Sequence, residues 1–438
     1  MSEIVQPNPL FIWTYNFAPG RNACSYYRIE TPLGQMSKMG LAKIYEEKVG
    51  EVSEIGKRNS VLALMHSDIM HQYALAGEGI LHRYQSIKRR KAAARGETMV
   101  TPPAIIYDID DNADFIHPFN GTYARMGVRA YPDAKLLKPG DVIVHENWKG
   151  EVEEVWADEE TIHDDILFDI KRNLYDMKVR HECIRAADAA TVSSRSLASY
   201  FRDVIGQKHT YVFPNTIVPE DFDHFEVVRK DNRVRILWQG GSSHYVDWYP
   251  LRAALKTVCD KYKDKIVFVM WGQRFPWVDT IIPDSMIEHL PWAPYEAYKL
   301  RRGLLNIDIN LCPLVDNVFN RGKSAIKWYE ASIWDKPEAT LAQRTEPYHE
   351  IEHDKTALLF RTPDEFVEQL SALIDNADLR TRLAQASKKW VLANRTPGAT
   401  IPGLHEFYTD TRNRQKRDLG LTAIKTYSTA DFKALIKR

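Results

Sequence analysis

The stretch FNRGKSAIKWYEAS, residues 319 to 332, runs turn-forming residues into a helix pattern and loads both with charge. Gly322 permits a tight turn or a close backbone approach, and Lys323 and Ser324 then open a helix predicted over 323–334. The first turn of a helix has N–H groups without intrahelical partners and the positive end of the dipole, so a phosphate suits it. The spacing i, i+4, i+7 puts Lys323, Lys327 and Glu330 on one face, while Ile326, Tyr329 and Ile333 form another that packs inward. A solvated face stapled by a Lys327–Glu330 pair, worth ~0.2–0.5 kcal/mol, accounts for the same spacing. The preceding run INLCPLVDNVFN weighs against that reading, because a buried strand ending in Pro313 delivers the turn to the carboxyl end of a parallel sheet. Open α/β sheets bind their ligands there.

Two further clusters have the residue types for chemistry. Gly240 and Gly241 close the apolar run VRILWQGG, where a turn without side chains lets main-chain N–H groups approach a diphosphate; a plain strand-to-helix turn explains them equally well. YDIDDN, residues 107 to 112, ends a strand in three carboxylates. Alternation sends Asp108 and Asp110 to one side, which with Asp111 fits an acceptor hydroxyl, a helix cap or, less well, Mg²⁺.

These residues need a scaffold, and the chain has the pattern of one. Short apolar runs alternate with helix-length amphipathic segments, the pattern of parallel sheets built from βαβ units. In the first half the strand candidates are 10–13, 80–84, 104–110, 141–146, 189–194 and 210–214, with a helix period over 165–187. A second series runs through 234–241, 265–272, 287–291, 306–314, 337–342 and 356–360, and ends in a helix over 363–393. Residues 213–233 lack an apolar period and carry prolines and charge, so a linker falls there. The expected division is an acceptor domain over 1–222, a second Rossmann-like domain over 223–395, and a tail over 396–438 that crosses back to the first.

Composition bounds the rest. The 438 residues exceed the ~250–300 that one core supports, which implies two domains. Lys plus Arg and Asp plus Glu both number 59, so no global field draws the chain to nucleic acid or anionic lipid. Cys24, Cys183, Cys259 and Cys312 are too far apart for a zinc site or a redox dithiol and read as buried thiols. No run reaches the ~18 apolar residues of a membrane span, and the first residues lack a signal-peptide pattern, so a cytoplasmic location is expected. One local exception is the basic segment Lys88 to Arg95, a solvated helix or a contact for an anionic acceptor such as a lipid-linked phosphate, a polysaccharide or a nucleic-acid backbone.

The stretches RILWQGGSSHYVDW, INLCPLVDNVFNRGKSAIKWYEASIWDKP, EPYHEIEHDKTALLF and DEFVEQLSALIDNADLRTRLAQASKKWV lie in an order and spacing that resembles the donor domain of glycosyltransferase family 4, the group 1 glycosyl transferases. The resemblance implies a GT-B fold, α/β, with two Rossmann-like domains facing each other across a cleft. It also implies retaining transfer, of hexosyl type, from a nucleoside diphosphate sugar (UDP- or GDP-sugar) to an acceptor hydroxyl, with no cofactor and no metal. Glu330 then matches the residue that holds the donor ribose, and Asn320, Arg321, Gly322, Lys323 and Ser324 match the turn near its diphosphate. Gly20 and Arg21 match a loop that closes over the phosphate, and His145, with His82 as its competitor, matches a histidine that reaches the sugar.

The departures matter as much. The family's sugar-contacting Glu falls on Gly322, and where the family adds an Arg and a Lys after the two glycines this chain has Ser242, Ser243, His244 and Asp247. Lys323, Lys327 or Arg321 would then neutralise the diphosphate. Leaving-group stabilisation needs such cations because negative charge builds on the departing phosphate. The implied catalytic set is His145, Asp108, Asp110 and Lys323, and the donor set adds Gly240, Gly241, Ser242, His244 and Lys327. A nucleotide-sugar 2-epimerase of the same fold and a non-catalytic sugar-nucleotide binder remain the alternatives.

Overall fold

The structure, a computed structural model, describes residues 9–16, 22–48, 67–73, 103–131, 133–146, 151–157, 160–163, 166–222, 229 and 231–420. They divide into two compact units, one from within 1–110, 178–218 and 395–438, the other from within 111–177 and 219–394. The basic segment Lys88 to Arg95, the loop with Gly20 and Arg21, the strand candidate 80–84 and His82 lie outside the described residues.

In the first unit β1 (Leu10–Asn16), β2 (Ala42–Lys48), β3 (Ile69–Tyr73) and β4 (Ala104–Ile109) begin a parallel sheet. The next four strands, β5 (Asp141–Glu146), β6 (Val152–Ala157), β7 (Thr161–His163) and β8 (Ile166–Phe168), belong to the second unit as two antiparallel hairpins. The run 141–146 is therefore a hairpin strand with Val142 and Val144 exposed, not the buried parallel strand its apolar residues suggested. After helix α1 (Ile170–Ala186), β9 (Ala189–Val192) and β10 (Thr210–Val212) complete the first sheet in the order β10-β9-β4-β3-β1-β2.

The second sheet is built from β11 (Val234–Gly240), β12 (Ile266–Gly272), β13 (Ile287–Leu290), β14 (Ile309–Cys312), β15 (Ala339–Gln343) and β16 (Leu358–Phe360). Its order, β13-β12-β11-β14-β15-β16, is parallel throughout, with β11 paired to β12 from Val234↔Ile266 to Gly240↔Gly272 and to β14 at Ile236↔Ile309. In chain sequence that is the 3-2-1-4-5-6 winding of a Rossmann domain, and it reverses between β11 and β14. One side of the sheet packs on Trp238 and Trp248, stacked at 3.8 Å, with Phe275, Trp277 and Leu255 around them. Aromatic burial on this scale anchors the strands whose carboxyl ends carry the charged residues.

The helix expected over 323–334 is two pieces. Helix α2 (Tyr295–Gly303) precedes β14; after β14 come α3 (Val318–Arg321) and α4 (Ile326–Ile333), with Gly322 to Ala325 as a break between them. Asn317 caps α3 by accepting from the Asn320 N–H at 2.8 Å. The predicted helix 363–393 is likewise two, Pro363–Asp375 and Ala377–Asn394. Helix α5 (Pro397–Asp418) groups with the first unit, where Ile401, Leu404 and Tyr408 join the core of Leu10, Ile12 and Ile106. Among the described residues no helix is long and apolar enough to cross a membrane.

Candidate functional site

The reversal of strand order in the second sheet puts two loops side by side: Gly241 to Asp247 after β11, and Pro313 to Ala325 after β14. Glycine is required at the first. A Cβ on Gly240 would lie 2.6 Å from His244 Cδ2, so the bare backbone makes room for the imidazole. At the paired end of β12, Gly272 has φ +101, and a Cβ there would stand 2.5 Å from the Gly240 carbonyl. Ser242 and Ser243 flank the turn half-buried, and a Cβ on Gly121 would lie 2.9 Å from the Ser242 hydroxyl.

Asp247, fully buried, joins the two loops. Its Oδ2 lies 2.7 Å from His244 Nδ1, while Oδ1 accepts from the Val315 N–H at 2.9 Å and the Asn320 side-chain amide at 2.7 Å. His244 Nε2 in turn lies 3.1 Å from Lys327 Nζ. Burial, then the nearby Lys327 ammonium, push the His244 pKa down to about 4, so the ring is neutral at pH 7. Burial also lowers the Lys327 pKa.

The other predicted donor residues separate by role. Lys323, in the break rather than in a helical first turn, has Nζ 3.0 Å from Asp111 Oδ1 and 4.5 Å from the Phe319 ring centroid. Gly322 is packed against residue 112: a Cβ would meet the Asn112 nitrogen at 3.1 Å and the Phe319 carbonyl at 3.0 Å. No glutamate side chain fits there without backbone movement, which gives the departure from the family pattern a physical cause. Arg321 points its guanidinium to exposed Asp316, at 2.7 and 2.9 Å, so its charge is used locally. Asn320 is a buried brace between Asp247 and the Val315 carbonyl.

Glu330 does not staple to Lys327. Its Oε1 accepts from the Tyr295 hydroxyl at 3.0 Å, and its Oε2 lies 2.8 Å from the Tyr298 hydroxyl and 3.5 Å from Gln239 Nε2. Burial, then the carboxylate beside it, raise the Tyr298 pKa well above its usual value, which keeps it a donor. Residues 295 and 298 sit one turn apart on α2, so one helix face presents both hydroxyls. Sequence reasoning gave no role to these tyrosines or to Asn112, and named Asp247 only as a departure from the family pattern. The i, i+3 spacing of the tyrosines in YEAY was a signal for a shared face, but nothing local pointed that face at Glu330.

The carboxylates of YDIDDN separate. Asp108, named in the implied catalytic set, is buried in the first unit as an ion-pair partner. Arg28 grips it at 2.8 and 2.7 Å and Thr191 donates to the same carboxylate. Burial would raise its pKa, yet Arg28 and His71 hold it near 2. Asp110 accepts from the Tyr73 hydroxyl and Asp111 pairs with Lys323. Among the described residues no three His, Cys, Asp or Glu side chains gather as a metal site. His145 lies in β5 opposite Glu153, in a hairpin of the second unit.

Residues 251–403 match the family model described as "Glycosyl transferase-like". Solved structures match over nearly the whole chain at low identity. HepE from Anabaena, in complex with UDP and glucose, is 9% identical with a TM-score of 0.53, over 92% of this chain and 100% of that one. A glycosyltransferase from Rickettsia africae is 10% identical with a TM-score of 0.53, over 92% and 99%. The chain has the GT-B fold of these structures. A third GT-B structure, described as trehalose-6-phosphate from E. coli bound with UDP-2-fluoro glucose, is 11% identical with a TM-score of 0.52, over 92% and 98%. No curated protein matches the chain in sequence.

Proposed function

We propose that this GT-B protein transfers a hexosyl unit from a UDP-sugar to an acceptor hydroxyl with retention of configuration. The observation that carries the reading is the convergence, at the strand-order reversal of the second sheet, of the Gly240–His244 turn, the break before α4, Lys327 and Glu330. The diphosphate takes the Lys327 ammonium and the N–H groups that open α4, and the Glu330 carboxylate accepts from the ribose hydroxyls. HepE was solved with UDP-glucose as well, which supports a uridine donor over a guanosine one.

Chemistry then follows from charge. As the glycosidic bond breaks, both bonding electrons go to the phosphate oxygen, and Lys327 with the helix N–H groups stabilises that charge. The acceptor's oxygen bonds to the anomeric carbon from the same face, and its proton passes to the departing phosphate oxygen. No enzymic nucleophile takes part in this scheme. The test is a thermal-shift screen of UDP-, GDP- and ADP-sugars, since a bound donor raises Tm by mass action. A rise with a UDP-sugar, lost in Lys327→Ala and Glu330→Ala, supports the reading. No shift with any donor, or an equal shift in both variants, overturns it.

A further inference from the structure

Asp247 lies beneath both loops of the site and offers no group to a ligand, since it is fully buried and its two oxygens face protein donors. Its position has a chemical consequence. An ionised carboxylate only accepts hydrogen bonds, so the nitrogen of His244 that faces it, Nδ1 at 2.7 Å, must carry the ring proton. A neutral imidazole has one proton, and Nε2 is then a bare lone pair. That lone pair lies 3.1 Å from Lys327 Nζ and accepts from it.

We propose that Asp247 is a positioning residue for Lys327: by fixing the tautomer of His244 it turns the imidazole into an acceptor that holds the ammonium at the donor phosphates. The inference rests on the UDP-sugar reading for its last clause alone; the tautomer stands without it. The relay differs from a direct Asp–Lys pair in an important respect. A carboxylate touching Lys327 would neutralise the charge that the phosphate needs, whereas a neutral ring orients the ammonium and leaves its full charge for the ligand. The remaining oxygen of Asp247 links Val315 and Asn320 to the same hub, so the loop after β14 and the cation move together. Other charged or titratable groups around Lys327 are Lys323, Cys312 and Glu330, and none of them makes the contact to His244 Nε2 that orients it.

The variant Asp247→Asn separates tautomer from packing. Its amide oxygen keeps the Val315 and Asn320 contacts, while its NH₂ donates to His244 Nδ1, forces the proton to Nε2 and sets two donors against each other at Lys327. The first measurement needs no variant: ¹⁵N NMR of the histidine-labelled, ligand-free full chain, with His244 assigned by comparison with His244→Gln. The expected signature is a protonated Nδ1 and an unprotonated Nε2. A protonated Nε2 in the wild type overturns the proposal whatever the protein binds.

The second measurement is UDP affinity by calorimetry in wild type, Asp247→Asn, Lys327→Ala and the double variant. Asp247→Asn is expected to weaken UDP binding about tenfold when Lys327 is present and less than twofold when it is absent. Equal losses in both backgrounds overturn the proposal, because a carboxylate that merely braces loops costs the same with or without the lysine. Wild-type protein that shows the Nδ1–H signature but binds no UDP rejects the donor reading and retains the tautomer.

Discussion

Asp108 in the first unit and Asp247 in the second are both buried aspartates joined to arginine or histidine, and they serve opposite ends. Asp108 is closed: the Arg28 guanidinium takes both of its oxygens, and Arg28 itself is completed by the Phe213 carbonyl and Asn215. Its charge ends inside the unit. Asp247 is open: its hydrogen bonds run to loop residues, and through His244 they end on a lysine at the rim of a sheet. Two carboxylates of similar burial thus differ in whether the partner chain terminates in the core or at the surface. That difference, more than residue type, separates a structural ion pair from a site.

The largest effect comes from breaking the closed network. Arg28→Met leaves Asp108 buried without its cation and should lower stability by about 3–5 kcal/mol in urea denaturation. A smaller loss would mean that water reaches the pair. Next is a pH effect that apportions between the units. His244 in the second and His405 in the first are both held near pKa 4 by burial, below the ~6.5 of an unfolded histidine. Above pH ~6.5 both states are neutral and the full stability is present. As the pH falls toward 4 the unfolded chain takes up protons first, so stability drops, by at most about 3 kcal/mol for His244. His244→Gln should remove the second unit's share of that slope and leave the share of His405.

Gly322→Ala tests the tight approach to Asn112, and a cost of about 1–3 kcal/mol is expected from the 3.0 and 3.1 Å contacts its Cβ would make. Smallest is Asp111→Asn. The Lys323–Asp111 pair is partly exposed, so its loss should change stability by less than about 1 kcal/mol, read as a small shift in the urea midpoint.

The central strands of the second sheet were readable because they are short, largely buried apolar runs: VRILWQGG, KIVFVMWG and NIDINLCPL coincide with β11, β12 and β14 to within a few residues. In the first sheet β2 and β3 were not seen. AKIYEEK is mostly polar on a sheet edge, and IMHQY buries a histidine that hydrogen-bonds Thr14 and a glutamine whose amide nitrogen donates to the Tyr73 carbonyl. Helix α5 was hidden for a similar reason. Its inward face mixes Ile401, Leu404 and Tyr408 with Thr400, Arg412 and Gln415, bonded to Thr216, Asp68 and the Pro103 carbonyl, so its apolar stripe is interrupted by polar residues. In the candidate site, Lys327, His244 and Glu330 had been singled out from the sequence by position. Asp247 and the tyrosines of α2 were given no role, because what assigns them is a partner on another element, and a single sequence carries no record of that pairing.

Helix α5 also dictates when each half can finish folding. Every stretch assigned to the second unit has been synthesised by residue 394, whereas the first sheet waits for residues 397 to 418 to cover it. Synthesis runs at ~5–20 residues per second, so the nascent amino-terminal sheet stays incomplete through most of translation. The half made first is the half completed last.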